Sequence, residues 1–323
     1  MREKNKLYKQ IIENRLTTLI IISIIIILML SILKPGTFLN YSNFSGIFTT
    51  MSFDLLLSCG MTIVLIVGGV DLSVGAVVAL ASIISAVLTK RGMGVFFTII
   101  ITILVGAIVG IINGILVTKF KLAPFVATLG IQSIIRGFCY VTTSGYLISG
   151  LSPAFTNLSR ATIVFIPSLV LISVILSIIV GILLKKMNLF KQMYMIGTSP
   201  KSAEMSGIPA DKLKVFAYML SGFFAGLSGV LIASRYGMGA ATYGIGFESR
   251  AIAASVIGGA VMSGGEGDMF GTMFGVLIVA VVNNAFIQFG GQAEWQYAVS
   301  GIMLLITLYA DRVKLSAMRR RGH

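Results

Sequence analysis

Charge is scarce in this chain: Asp, Glu, Lys and Arg make up 11% of its 323 residues, against about 25% in soluble globular proteins. With 56% hydrophobic residues, that shortage excludes a water-soluble domain and leaves an integral membrane protein. Histidine is nearly missing too. The single one, His323, is the last residue, so the usual general base of acid–base enzymology is lacking. The two cysteines, Cys59 and Cys139, both lie inside apolar runs, which excludes a disulfide framework or paired metal-ligand spacing and leaves helix packing as their role. No Gly-x-x-x-x-Gly-Lys-Ser/Thr loop occurs, so the chain has no phosphate cradle of its own and should hydrolyse nothing.

The charge that is present is mostly basic, with a net of +14. These residues sit between apolar runs rather than on one face or in one domain, so they are topology determinants and not a nucleic-acid surface. About ten apolar runs are long enough to cross a hydrocarbon core of about 30 Å. They cover residues 16–33, 44–67, 71–88, 95–117, 124–143, 163–184, 213–234, 247–263, 269–289 and 295–309. The first run follows a basic stretch, but it is too long for a signal peptide and has no small-residue cleavage site after it. It is expected to remain as an anchor. This divides the chain into a basic amino terminus (1–15), a transmembrane body (16–311) with a polar segment at 185–213, and a basic carboxyl terminus (312–323).

Orientation follows from the Lys and Arg residues near the ends of the runs. Arg2, Lys4, Lys6, Lys9 and Arg15 lie at one terminus, and Arg312, Lys314, Arg319, Arg320 and Arg321 at the other. Both termini are expected in the cytoplasm, together with the loops carrying Lys119, Lys121 and the lysines from Lys185 to Lys214. Only Lys90 and Arg91 fall on the wrong side. With this parity the second to fifth and the seventh to tenth spans enter the membrane in opposite directions, as inverted repeats do. GAIVGIING at 106–114 and GTMFGVLIVAVVNNA at 271–285 are weakly alike, although small-xxx-small spacing is also ordinary helix packing.

One run is interrupted. Residues 60–86 read GMTIVLIVGGVDLSVGAVVALASIISA, with a glycine pair and Asp71 in the middle. A carboxylate there costs roughly 2.5–3.5 kcal/mol on insertion scales, and non-helical backbone needs cover from protein or a water-filled cavity. Asp71 and Ser73 are both good caps for a helix beginning at Leu72, and Asp71 can also meet substrate or a gating partner. The polar residues available to line a route are Asp71, Ser73, Asn113, Gln132, Arg136, Asn283 and Asn284. Each has a structural alternative: the asparagines can bridge helices at about 0.6 kcal/mol per hydrogen bond, and Arg136 must find an anion or a carbonyl.

The polar segment holds GTSPKSAEMSGIPADKLK at 197–214. Ser199 as cap and Pro200 at a first helical position start a short helix that Gly207 and Pro209 stop. Ala203, Met205 and Ile208 offer a small apolar face to a partner's groove, although a plain connecting loop would read the same way.

From about Met61 to Arg312 the motifs fall in a familiar order: GMT and GGVDLSVG, APFVATLG at 123–130, RGFCYVTTSG at 136–145, GTSPKSAEMSGI, AIAASVIGG at 251–259, GTMFGVLIVAVVNN at 271–284 and LLITLYADR at 304–312. The chain resembles the permease subunits of bacterial ABC importers for ribose, other simple sugars and sugar-like autoinducers. That resemblance implies an all-α membrane fold of about ten helices with inverted repeats and interrupted helices, similar to type II importers. It also implies a second permease subunit, identical or not, beside this one in the bilayer of the bacterial cytoplasmic membrane. A separate ATPase subunit would bind ATP and Mg, and an extracytoplasmic solute-binding protein would deliver the sugar. No cofactor is expected in this chain. The family's coupling helix, which enters the ATPase, falls on Pro200, Lys201, Ser202, Ala203, Glu204, Met205, Ser206 and Gly207. Two local charges depart from the family's pattern. Glu248-Ser249-Arg250 stands where the family often reads Glu-Leu-Asp, and Glu266 stands where a basic residue is usual, followed by Asp268. Nucleosides or branched-chain amino acids are the alternative cargo, and an ion-coupled carrier using Asp71 is the alternative mechanism.

Overall fold

Unpaired backbone N–H and C=O groups are too costly in hydrocarbon, so long apolar runs must coil into helices. The computed structural model describes residues 15–163, 165–292, 295, 296, 298–303, 305, 306 and 309, and its architecture is almost entirely helical. The basic residues expected at 1–14 and 312–323 lie outside the described residues, and the run at 295–309 is described only in part, as helix. In chain order the elements are α1 (Arg15–Leu33), α2 (Pro35–Phe38), α3 (Tyr41–Ile66), α4 (Val74–Lys90), α5 (Val95–Thr118) and α6 (Pro124–Thr143). Next come β1 (Ile148–Ser149), α7 (Pro153–Arg160), β2 (Thr162–Ile163), β3 (Ile166–Pro167), α8 (Ser168–Lys186), α9 (Asn188–Thr198) and α10 (Pro200–Met205). The chain continues with α11 (Ala210–Tyr236), β4 (Met238–Gly239), α12 (Phe247–Gly258) and α13 (Met269–Gln288).

Seven of these helices, α1, α3, α5, α6, α8, α11 and α13, are long and apolar enough to span a membrane. The chain is a multi-pass membrane protein. Three expected boundaries are corrected. The run beginning at Asp71 becomes helical only at Val74, because Asp71 holds the preceding residues in a turn. The run at 247–263 is helical for 12 residues only, since Gly259 takes φ +125°, which no α-helix accommodates. The run at 163–184 starts its helix at Ser168, because Thr162–Ile163 and Ile166–Pro167 pair as short antiparallel strands with Thr162 opposite Pro167.

Burial follows the membrane pattern. From Ser52 to Ile66, α3 is buried on every side, as expected of a helix surrounded by others. By contrast α1, α5 and α6 expose large apolar residues such as Ile25, Phe96 and Val141, the faces that meet lipid. Packing then has an internal regularity: α11 lies against α5, α4 and α3, while α3 lies against α13, α12 and α11. Likewise α4 packs on α5 and α12 packs on α13.

Without a hydrophobic drive between helices in lipid, close approach depends on small residues. Gly106 and Gly110 of α5 meet Gly222 and Gly226 of α11 backbone to backbone; a methyl added at Gly222 would lie 2.9 Å from the Gly110 nitrogen. Gly271 and Gly275 of α13 instead pack on Gly258 and Ala254 of α12. The two similar stretches noted in the sequence therefore serve inequivalent neighbours. Gly222→Leu should separate α5 from α11 and cut the monodisperse folded fraction in detergent several-fold, while Gly130→Ala, with no atom within 4 Å of the new methyl, should leave it unchanged. Size-exclusion profiles of the two variants check this.

Candidate functional site

The break between α3 and α4 is closed by a buried carboxylate. Asp71 is 1% exposed, and its Oδ1 accepts from the Ser73 amide at 3.0 Å, the Ser73 hydroxyl at 2.7 Å and Asn113 Nδ2 at 3.3 Å. Its Oδ2 accepts from the Ser221 hydroxyl at 2.8 Å. Asn113 also donates to Ser73 Oγ at 2.8 Å. The neighbouring backbone is satisfied as well: the Leu72 amide donates to Thr128 Oγ1 at 3.1 Å, and the Tyr218 hydroxyl donates to the Val70 carbonyl at 3.2 Å. Three of the candidate residues, Asp71, Ser73 and Asn113, thus converge, and side chains from α5, α6 and α11 converge with them. Asp71 caps the turn rather than a helix starting at Leu72.

A second cluster joins Gln132 and Arg136 to Glu248, which sequence reasoning noticed only as part of a motif. Gln132 Nε2 donates to Glu248 Oε1 at 3.4 Å. Arg136 donates to the carbonyls of Ala241 and Tyr243, the latter at 2.7 Å, which are the carbonyl partners a half-buried arginine needs. Glu248 lies in the first turn of α12, and its Oε2 crowds Gly75 in the first turn of α4, alongside the Gly244 carbonyl. The amino-terminal ends of the two short helices therefore meet, each with a carboxylate near the positive end of its dipole.

The third place is a cavity of about 540 Å³ between α3, the 242–247 loop and α13. Asn283 and Asn284 both line it, but they behave differently. Asn284 Nδ2 donates to Asn43 Oδ1 at 2.7 Å, as does Gln288 Nε2, so Asn284 bridges α13 to α3. The Oδ1 atoms of both Asn283 and Asn284 are buried without a hydrogen-bond partner among the described residues, so the difference lies in the amide nitrogen, which only Asn284 commits to α3. On the cavity wall Arg250 is paired through Nε with both oxygens of Asp54 at 3.1 Å and stands 4.2 Å from the Phe247 ring centre. Neither Asp54 nor this pairing was found from sequence. The signal was there: Asp54 is the one charged residue of its apolar run, and Arg250 is the one base of another. A smaller cavity of about 330 Å³, lined by Gly68, Gly69, Val117 and Tyr218 among others, opens at the other end of α3.

The segment expected to couple to an ATPase is helical from Pro200 to Met205, with Ser199 accepting from the Ser202 amide at 3.3 Å. Its expected apolar face needs correction: Ala203 and Ile208 are buried in the protein's own core, and only Met205, 82% exposed, points outward. The helix before it, α9, wedges into the bundle. At Gly197 a methyl would run into the Ile66 carbonyl and the Gly265 nitrogen, so this helix rests directly on the end of α3, two residues from Gly68. Tyr194 donates to the Gly267 carbonyl at 2.8 Å; burial first, then the Asp268 carboxylate, push its phenol up to about 12. Asp268 caps α13 through the Gly271 amide and faces Lys185 at 3.4 Å, so one of the two acids departing from the family pattern does meet the basic segment.

Comparison with known proteins fits this architecture. Residues 43–308 match the family described as the permease component of branched-chain amino acid transport systems. The chain belongs to this permease family. It is 40% identical over 292 residues to the ribose import permease protein of Bacillus subtilis, covering 90% of each chain. It is 34% identical to the D-allose transport system permease of Escherichia coli, over 90% of this chain and 89% of that one. The galactose/methyl galactoside import permease of Haemophilus influenzae is 31% identical, with 97% of both chains covered. No solved structure matches the chain.

The hydrogen-bond pattern sets the outcome of replacing Asp71. Asn keeps Oδ1 for Ser73 and Asn113, and its amide can donate to Ser221, whose hydroxyl turns to accept. Ala removes the acceptor of four buried hydrogen bonds, at about 1–3 kcal/mol for each donor left unpaired. Asp71→Asn should therefore keep most transport per folded protein, whereas Asp71→Ala should lower the folded amount in the membrane. A well-folded Asn variant that hydrolyses ATP with its partners but transports nothing would give the carboxylate a direct role in passage.

Proposed function

We propose that this chain is the membrane-spanning translocation subunit of an ATP-driven importer for a simple sugar, ribose or a related monosaccharide. The observation that carries this is the match along nine-tenths of both chains to a ribose import permease, with further sugar permeases aligned over similar lengths. A separate ATPase subunit binds ATP and Mg, a solute-binding protein delivers the sugar from outside, and a second permease subunit completes the pore. The chain lies in the bacterial cytoplasmic membrane with both termini in the cytoplasm, and its body spans 16–311. About ten spans result when the short α4 and α12 and the partly described run at 295–309 are added to the seven long helices.

The packing regularity supports inverted repeats. Exchanging α3 with α11, α4 with α12 and α5 with α13 turns each of the contacts described above into another. The same exchange relates the two cavities: one lies between α3, the loop before α12 and α13, the other between α11, the loop before α4 and α5. They open at opposite ends of α3, as outward and inward vestibules of one passage would. The family's description favours branched-chain amino acids as the second reading, and uptake assays separate the two cargoes.

Coupling runs from Pro200–Gly207 through Gly197 to the α3 end and the adjoining break. In a chain whose Cys59 and Cys139 are replaced by Ala, Met205→Cys should be alkylated by an impermeant maleimide in inverted vesicles and not in intact cells. The adduct should lower substrate-stimulated ATP hydrolysis roughly tenfold without releasing the protein from the membrane. Labelling from outside would contradict the topology, and full stimulation after labelling would contradict the docking role.

A further inference from the structure

We propose that the cavity of about 540 Å³ at the Asn283 end of the bundle is a binding site for one neutral, polyhydroxylated ring, with Asn283 and Arg250, the latter held by Asp54, as its polar contacts. The inference rests on the sugar-import reading and adds to it a place and a chemistry. The volume lies inside the range of about 300–1,000 Å³ common to small-molecule sites. Asn283 supplies an unexplained polar group: it is 7% exposed, lines the cavity, and its Oδ1, like that of Asn284 beside it, has no partner among the described residues. A buried carboxamide oxygen left without a donor costs about 1–3 kcal/mol, a deficit that a ligand hydroxyl removes.

Arg250 extends the set. Guanidinium carries five N–H donors, and among the described residues only Nε is bonded, to Asp54. The remaining edge serves the cavity that Arg250 lines. Because Asp54 balances its charge, the site offers strong donors with no net charge, which suits hydroxyl oxygens and gives an anion no advantage. Aromatic rings cover another side. Tyr236 stands 6.4 Å from Phe53 and 5.8 Å from Tyr243, centre to centre, and all three line the cavity. A sugar ring has an apolar C–H face and a rim of hydroxyls, so it presents one surface to this wall and the other to Asn283 and Arg250. Sugars differing in one hydroxyl would be distinguished by which of these groups is left unpaired.

The test uses the assembled importer, with its ATPase and solute-binding protein, in membrane vesicles. D-ribose, D-allose, D-galactose and L-arabinose are offered, and the sugar the wild type takes up becomes the probe. Asn283→Leu, close in volume, should lower ATP-driven uptake per folded transporter roughly tenfold. In the chain lacking Cys59 and Cys139, alkylation of the Asn283→Cys variant by a small maleimide should be slowed about threefold or more by saturating probe sugar, and not by glycerol. If the sugar leaves alkylation unchanged, the proposal is overturned, even when uptake falls, because Asn283 is then structural. If the wild type takes up none of the four sugars, the import reading itself fails and this site falls with it, so the two failures are told apart.

Discussion

The carboxylate of Asp71 is the interaction on which the rest of the bundle depends. A glycine pair followed by an acid breaks a membrane run in its middle, and such a break survives only if every freed polar group is answered. Asp71 does this by accepting four hydrogen bonds, from its own turn, from α5 and from α11. Thr128 and Tyr218 complete the set from α6 and α11. The node therefore fixes where α4 begins and how it sits against three other helices. It also leaves the carboxylate saturated, which suits a structural role better than that of a mobile ion relay.

Around this node the short helices α4 and α12 meet at their amino-terminal ends. Gly75 and Gly244 permit the approach, and Asp71 and Glu248 place negative charge where the two dipoles are positive. A cavity lies near Gly68 and another near Gly244. The α9 helix that precedes the proposed coupling segment touches the first of these ends, through Gly197 against the Ile66 carbonyl. A push on Met205 from outside the bundle can reach the break after α3 through backbone contact, with no flexible side chain between.

Much of this was legible in the sequence because it rests on local chemistry. Gly68-Gly69 with Asp71 announced the break, Ser199 and Pro200 announced the short helix at Pro200–Met205, and the long apolar runs announced the spans. What depends on tertiary partners was not legible. Hydropathy carried the sixth run back to Ile163 because a β-ribbon of apolar residues looks like helix in composition. It also made Ala203 and Ile208 a docking face, since nothing local shows that the bundle covers them. The Asp54–Arg250 pair joins positions almost two hundred residues apart, and Glu248 meets Gln132 only because α6 and α12 both reach the centre. Asn283 and Asn284 were indistinguishable as neighbours in sequence; only their helix phase lets the Asn284 amide bridge to Asn43 while both line the cavity.

The most direct test of the structural role assigned to Asp71 is a double-mutant cycle on unfolding free energy in lipid nanodiscs, using Asp71→Ala, Ser221→Ala and the pair. A direct bond from a hydroxyl to a buried carboxylate predicts a coupling above the membrane average of about 0.6 kcal/mol and nearer the roughly 1.5–3 kcal/mol of hydrogen bonds to charged groups. Additive losses within about 0.3 kcal/mol would contradict it, since α4 and α11 would then be held together by packing alone.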